Sequence, residues 1–490
     1  MGNARTLTRS RATLQPQEPA LARLFAPLPH LLIDGGDLRL RIDPIAGCND
    51  YGCRPTPDGR VLAFSSSTAT TISEPAYQRA HMARQMLVHD SLTQGMARAF
   101  DSRVESMRHD LRTLLRLEAR IGVMFSPSGT DSQLQALLLL RHLLGGRLCS
   151  IVIGADQTGR GTIHTARGQH FSDRTAQGCT VVKGEPVARW ANAPLSVGIS
   201  LLADDGSVRS EAQTDALVLA TIAEQIDAGC NVLLQIMESS KLGWRAPSDS
   251  CLDEIAARWP QRVQVVVDAC QMRMPRSRLS AHLSRGRVVL MTGSKFFTGP
   301  SFSGASLWPQ QMHARITACA ASPEGLSDYA TCYDLPPDWT GLRSGLPSSP
   351  NVGQWLRWEA ALAEMDSYYA VPAPWRHAAL ARLSEAVPEA IASVKGLQLL
   401  PAYGRHSPMP PTIFSFFLNK DGGRLDSADV TALYHALYRS GTCATNEPVC
   451  QIGQPVALRA GTVLRIAIGA RALAQAFKED ASCGQVIADI

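Results

Sequence analysis

An aspartate and a lysine stand at the ends of two successive apolar runs: Asp268 closes VQVVVD, and Lys295 follows RVVLMTGS and precedes FFTGP. A carboxylate at the end of a buried strand is costly on its own. A protonated pyridine nitrogen would neutralise it, and the pairing would make such a ring a stronger electron sink. Gln271, three residues on, can donate to an oxygen on that ring. An amine near a cationic ring has a lowered pKa and can form a Schiff base with an aldehyde. Lys295, preceded by Thr292, Gly293 and Ser294, is suited to that role. A phosphate cradle should then lie upstream, and FSPSGTDSQLQALLLL supplies one. Gly129 permits a tight turn, Ser128, Thr130 and Ser132 carry hydroxyls, and the amides of residues 129–131 open a helix whose positive end faces an anion. The lysine of a nucleotide-binding P-loop is missing. Singly, these features are a strand-end acid, a solvated lysine and a helix cap. Together they describe a site for pyridoxal 5'-phosphate.

Such groups converge only if several strands end on one edge of a sheet. Short apolar strands (VMFSP, CSIVIGA, CTVVKG, VLLQIM, VQVVVDA and RVVLMTG) alternate with helical segments such as DSQLQALLLLRHLLG and TDALVLATIAEQIDAG. That alternation predicts an α/β fold with a mostly parallel sheet covered on both faces, and ligands bind beyond the carboxyl ends of such strands. The spacing from Glu74 to Arg120 is helical. A Pro/Gly/Ser-rich segment, LPPDWTGLRSGLPSSPNVG, reads as a hinge into a smaller C-terminal α+β domain containing TIFSFFLNK, SADVTALYHALYRSG and TVLRIAIGA. The expected division is a tail and arm over 1–60, a large cofactor-binding domain over 61–340 and a small domain over 341–490.

Composition sets outer bounds. With 490 residues, 19% charged and 45% hydrophobic, the chain has the balance of a folded, enzyme-sized protein. A net charge of +5 without a basic stripe argues against nucleic acid as a partner. No apolar run reaches the ~18 residues of a membrane span. The twelve cysteines lack metal-ligand spacing, so no metal site is expected. MGNARTLTRSRATLQPQEP has no apolar core and is not a secretory signal, which predicts a soluble cytoplasmic protein with reduced thiols.

In the order of its motifs the chain resembles the fold type I pyridoxal-phosphate enzymes, and among them the class V aminotransferase and cysteine desulfurase group, from about residue 62 to 475. SSTATTISEPAY is similar to the group's opening A-T-T-P segment, SGTDSQ to its phosphate loop, VDACQ to D-x-x-Q, TGSKFFTGP to S-G-H-K-x-x-G-P, GLRSGLP to R-S-G-T, and VLRIAIGAR to the C-terminal strand whose arginine binds substrate carboxylate. The resemblance implies that Lys295 forms the Schiff base and Asp268 meets the ring nitrogen. It also implies that Ser128, Gly129, Thr130, Gln271, Thr292 and Ser294 surround the cofactor, and that Arg465, with Thr70, receives the substrate. It further implies a seven-stranded large sheet and a homodimer with shared active sites.

Several departures bear on the reaction. Gln157 or Thr158 occupies the place of the histidine that stacks on the ring, and His164 and His170 nearby read as solvated. Ser239 replaces an asparagine, and Glu238 adds an acid. RSGLP lacks the threonine that reaches a partner's phosphate, leaving Ser348 or Ser349. Cys443 falls about one residue from the position of the desulfurase cysteine, and Cys270 reads as packing. Tyr51, within the arm segment GCNDYGCRP, is a candidate for the substrate entrance. The expected activity is transformation of an α-amino acid through an external aldimine, with a class V type aminotransferase leading. The alternatives are a carbon–sulfur lyase or cysteine desulfurase, a specialised Cβ or Cγ bond-forming enzyme and, outside catalysis, a cofactor-binding regulator.

Overall fold

The structure, a computed structural model, describes residues 20–159, 161–192, 195–401, 409–439, 449–479 and 484–488. Its larger sheet has seven strands: β2 (Gly122–Ser126), β3 (Leu148–Ile153), β4 (Leu195–Ile199), β5 (Asn231–Met237), β6 (Val263–Asp268), β7 (Val288–Thr292) and β8 (Gly304–Trp308). The spatial order is β2-β8-β7-β6-β5-β3-β4, and only β8 runs against its neighbours. Strands β2, β7 and β8 are buried along their whole length, as expected where both faces are covered. Because β2, β3, β5, β6 and β7 are co-directional, Ser126, Ile153, Met237, Asp268 and Thr292 all end on one edge.

The helix Gly129–Leu144 lies on this sheet with every residue from Asp131 to Leu140 buried. An apolar run on all sides suits a helix with no solvent face. Ser128 caps its start, and Gly145, at φ +62°, ends it.

The smaller sheet comprises β1 (Val61–Phe64), β9 (Leu397–Leu399), β10 (Ile413–Lys420), β11 (Gly423–Arg424), β12 (Val449–Leu458) and β13 (Gly461–Ala467), in the order β1-β12-β13-β10-β11 with β9 also on β10. Strand β1 pairs in parallel with β12, Val61 facing Val449 and Phe64 facing Ile452, so residues just after the arm complete a sheet built from the C-terminal part of the chain. The helix Val352–Ala370 packs against both Glu74–Gln94 and Ala470–Glu479.

Two elements correct the sequence reading. CTVVKG is not a strand: residues 179–184 are irregular, with one isolated bridge from Thr180 to Arg174 and a turn at 183–184, between Gly178 and Gly184 at positive φ, and the strand in this part of the chain is β4. A run of β-branched residues pairs with the sheet only when its backbone is free of such reversals. The helix Ala373–Ser393 was hidden by Pro374 at its first turn and Pro388 within it. No helix among the described residues is long and apolar enough to cross a membrane, and none of their His, Cys, Asp and Glu side chains form a metal-binding group.

Candidate active site

The residues expected to cradle an anion lie where β2 turns into its helix. The Ser128 hydroxyl accepts from the Asp131 amide at 3.3 Å and donates to the Asp131 carboxyl. Gly129 is required here: a Cβ would come within 2.7 Å of the Cys270 Sγ. Glycine loops after β3 close on Thr130, since a Cβ on Gly161 would meet the Thr130 Cγ2 at 2.6 Å. Asp131 is fully buried, and burial together with the nearby Asp37 pushes its carboxyl up to about 7.

The cradle also receives a cation that the sequence reading missed. Arg39, from the N-terminal arm, donates from Nη2 to the Ser128 Oγ at 3.4 Å, is held by Asp37 through Nε at 2.9 Å, and lies 5.1 Å from the Phe302 ring. Tyr51 lies near this guanidinium, whose charge opposes the rise that burial imposes on its phenol. The arm then runs to the small sheet, where Gln451 and Gln454 of β12 donate to the carbonyls of Gly52 and Asp50. Nothing local in the sequence links Arg39 to residue 128; the contact is made by the path of the arm.

Asp268 is half-buried at the end of β6, its Oδ1 accepting from the Cys270 amide and its Oδ2 from the Gln133 Nε2, both at 3.1 Å. Gln133 is itself fixed, because its Oε1 accepts from the hydroxyls of Thr162 and Thr165. A helical pattern hides such a residue, since Gln133 falls inside a buried run. We predict that Gln133→Leu leaves the fold intact yet weakens binding of the cofactor's ring by about tenfold, the scale of one charge-assisted hydrogen bond. Titrating the apoprotein with unphosphorylated pyridoxal reads this directly.

Lys295 is partly buried, and its amine makes no hydrogen bond or ion pair to the described residues. Its charge is felt by Cys270, whose thiol is pushed well up by burial and by Asp268 and pulled back by Lys295. The Thr292 hydroxyl donates to the Cys270 carbonyl at 2.8 Å and so ties β7 to the turn after β6. Ser294 is buried and Ser239 half-buried, neither with a side-chain partner among the described residues. Gln157 is 1% exposed with both amide atoms unbonded.

On the small sheet, Arg465 is fully buried and meets only neutral acceptors: the carbonyls of Gln454 and Lys241 and the Thr68 hydroxyl. Burial pulls its guanidinium down to about 10. Gly453, opposite Arg465 in the ladder, allows close packing, for a Cβ there would meet the Ser67 Oγ at 2.6 Å and the Arg465 Nε at 3.1 Å. The hydroxyls of Ser67, Thr70 and Ser415 are buried and unbonded. Thr68 is the threonine that touches Arg465, whereas Thr70 faces a small cavity beside Asn49 and Cys53. The amide of Gln271 donates to the Ser67 carbonyl and accepts from Arg273, which is likewise buried without a carboxylate partner. The segment after Lys295 meets the helix that follows β13, where the Ala470 amide donates to the Phe296 carbonyl.

The remaining candidates separate. Glu238 turns away into a buried ion pair with Arg278 and a 3.1 Å contact with the His282 Nε2. His170 is not solvated as expected: it is buried and bonded to the Tyr329 hydroxyl at 2.7 Å, because its loop folds under residues 326–330. Burial lowers the pKa of both His164 and His170. Thr158 bonds its own turn at the Ala155 carbonyl. Ser348 is exposed and Ser349 half-buried. Cys443 lies outside the described residues.

No family model matches the chain, and no curated protein matches it by sequence. Solved structures do. A NifS-like protein covers 87% of this chain with 99% of its own, at a TM-score of 0.52 and 12% identity. The cystine C–S lyase C-DES, in complex with its reaction product cysteine persulfide, covers 88% with 97% of its own, at 0.53 and 12%. Tryptophan decarboxylase from Catharanthus roseus, in complex with L-tryptophan, covers 87% with 83% of its own, at 0.50 and 14%. The shared fold is that of the fold type I pyridoxal-phosphate enzymes, as the sequence resemblance implied.

Proposed function

We propose that this chain is a pyridoxal-phosphate-dependent enzyme acting at Cα of an α-amino acid, with amino-group transfer as the leading reaction. The observation that carries the reading is Arg465, a guanidinium buried among neutral acceptors with no carboxylate partner. The cofactor fits the other residues on three counts: a helix start at Ser128 and Gly129 beside the Arg39 guanidinium, a buried Gln157 with no partner, and an Asp268 carboxylate that meets only neutral donors.

Ser128, the amide of Gly129 and Thr130 would hold the phosphate, with Arg39 in place of the missing histidine. Asp268, oriented by Gln133, would accept the ring N–H, and Gln157 would lie against the ring. Thr292 would brace the strand end, with Gln271, Ser239 and Ser294 around the ring's edge, while Arg465, with Thr70 lining the approach, would fix the substrate carboxylate. Once bound, the cofactor supplies an electron sink that stabilises negative charge at Cα. Lys295 would take the proton from Cα at its Nζ and hold it there for delivery to the acceptor carbon. A carboxylate clamped by Arg465 is retained, which disfavours decarboxylation.

The likeness to the C–S lyase supports a second reading, elimination with carbon–sulfur cleavage. Incubating the protein with an amino-acid panel, with and without an α-keto acid, separates them. Transfer requires the acceptor and yields a new amino acid. Elimination releases ammonia without one. No turnover and no spectral change with any amino acid would remove both readings and leave the regulator. This reading also places the enzyme in the cytoplasm as a homodimer with shared sites, which sedimentation tests.

Two predictions concern the cradle. Arg39→Gln should weaken pyridoxal phosphate binding by about ten- to a hundredfold while leaving binding of unphosphorylated pyridoxal unchanged, as expected for loss of charge-assisted bonds to phosphate. Equal losses for both ligands would remove Arg39 from the phosphate site. Asp131, with its carboxyl raised to about 7, is neutral below that pH and anionic above it. Its charge repels phosphate, so cofactor affinity falls as pH rises through about 7, and Asp131→Asn flattens that part of the profile.

A further inference from the structure

At the opposite, amino-terminal edge of the large sheet, β3 and β4 begin beside a cavity of about 300 Å³. Three arginines line it: Arg141 from the helix on β2, Arg147 before β3, and Arg167 after the glycine loops. No acidic side chain lines it among the described residues. The Arg141 guanidinium lies 5.7 Å from the Trp190 ring, and its Nη1 is buried without a hydrogen-bond partner. Leu137 and Leu195 supply an apolar floor, and Ser150, 3% exposed, offers a hydroxyl with no partner among the described residues.

A buried guanidinium nitrogen without an acceptor is costly, and three like charges around one hollow repel each other. Both costs are relieved by an anion. The aromatic wall and apolar floor call for a flat, apolar body attached to it, and the volume stands at the small end of ligand sites. We propose that this cavity binds a small aromatic anion, a carboxylate or a phosphate ester, with its charge on Arg141 and its ring along Trp190. The site is separate from the one described above. Its inner wall, formed by Leu137, Ser150 and Ala166, is shared with a smaller cavity reaching Gln133, the residue that orients Asp268.

The test is calorimetric titration of the cofactor-loaded, full-length protein with 1-naphthyl phosphate, 1-naphthoate and the neutral 1-naphthalenemethanol. The expected result is saturable binding of one anion per chain, weakened by added salt, with the neutral compound at least about tenfold weaker. Arg141→Gln should lower anion affinity about tenfold, and Arg167→Gln, at the exposed rim, should lower it less. The stronger of the two anions identifies the headgroup. The proposal is overturned if neither anion saturates, if the neutral compound binds equally well, or if both arginine variants bind as the parent does. None of these outcomes bears on the cofactor reading, because Lys295, Asp268 and Arg465 are untouched.

Discussion

Replacing Lys295 with alanine should abolish the visible absorbance of the cofactor-reconstituted protein and slow turnover by about 10²- to 10⁴-fold or more, the range contributed by a positioned proton-transfer group. The amine has no partner among the described residues, so truncating it removes no contact that holds the fold. What anchors the segment is the backbone: the Thr298 amide donates to the Lys295 carbonyl and the Gly299 amide to the Gly293 carbonyl, with Phe296 and Phe297 buried behind. Thermal stability of the apoprotein should therefore stay close to that of the parent. A variant that retained both absorbance and turnover would show that another amine, or none, does the chemistry.

The second large effect is at Arg465. Arg465→Met should lower kcat/KM for the amino-acid substrate by about 10²- to 10³-fold, corresponding to roughly 3–4 kcal/mol for a lost carboxylate clamp. Rates with the matching amine, which has no carboxylate, should hardly change. This comparison is needed because Arg465 also serves the Gln454 and Lys241 carbonyls and Thr68, and stranding those acceptors costs stability by itself. A uniform loss on amino acid and amine alike would make Arg465 a structural residue and transfer the carboxylate role to another cation. Arg273, buried beside it and pulled down to about 9 by burial and by Arg465, is the next candidate.

The fold was legible because its pattern is local. Apolar runs of four to seven residues between helical segments mark five of the seven large-sheet strands correctly. The failures have local causes too. β4, LSVGI, and β8, GASLW, carry glycine and serine where a propensity reading expects larger apolar residues, and both are stabilised by their neighbours in the sheet. β12 contains Gly453 and Pro455 and a register shift, features that read as a loop.

That Asp268, Lys295 and residues 128–130 lie where strands end on one edge of the large sheet was legible in the sequence alone, because strand ends are visible as breaks in an apolar run. Only the tertiary structure decided which side chains serve them. Gln133 meets Asp268 across 135 residues, Arg39 meets Ser128 across 89, and Thr68 meets Arg465 across 397. A hydrogen bond between distant segments leaves no periodicity in either one. It exists because helix, arm and second sheet are packed against the same edge, and that packing is a property of the whole chain.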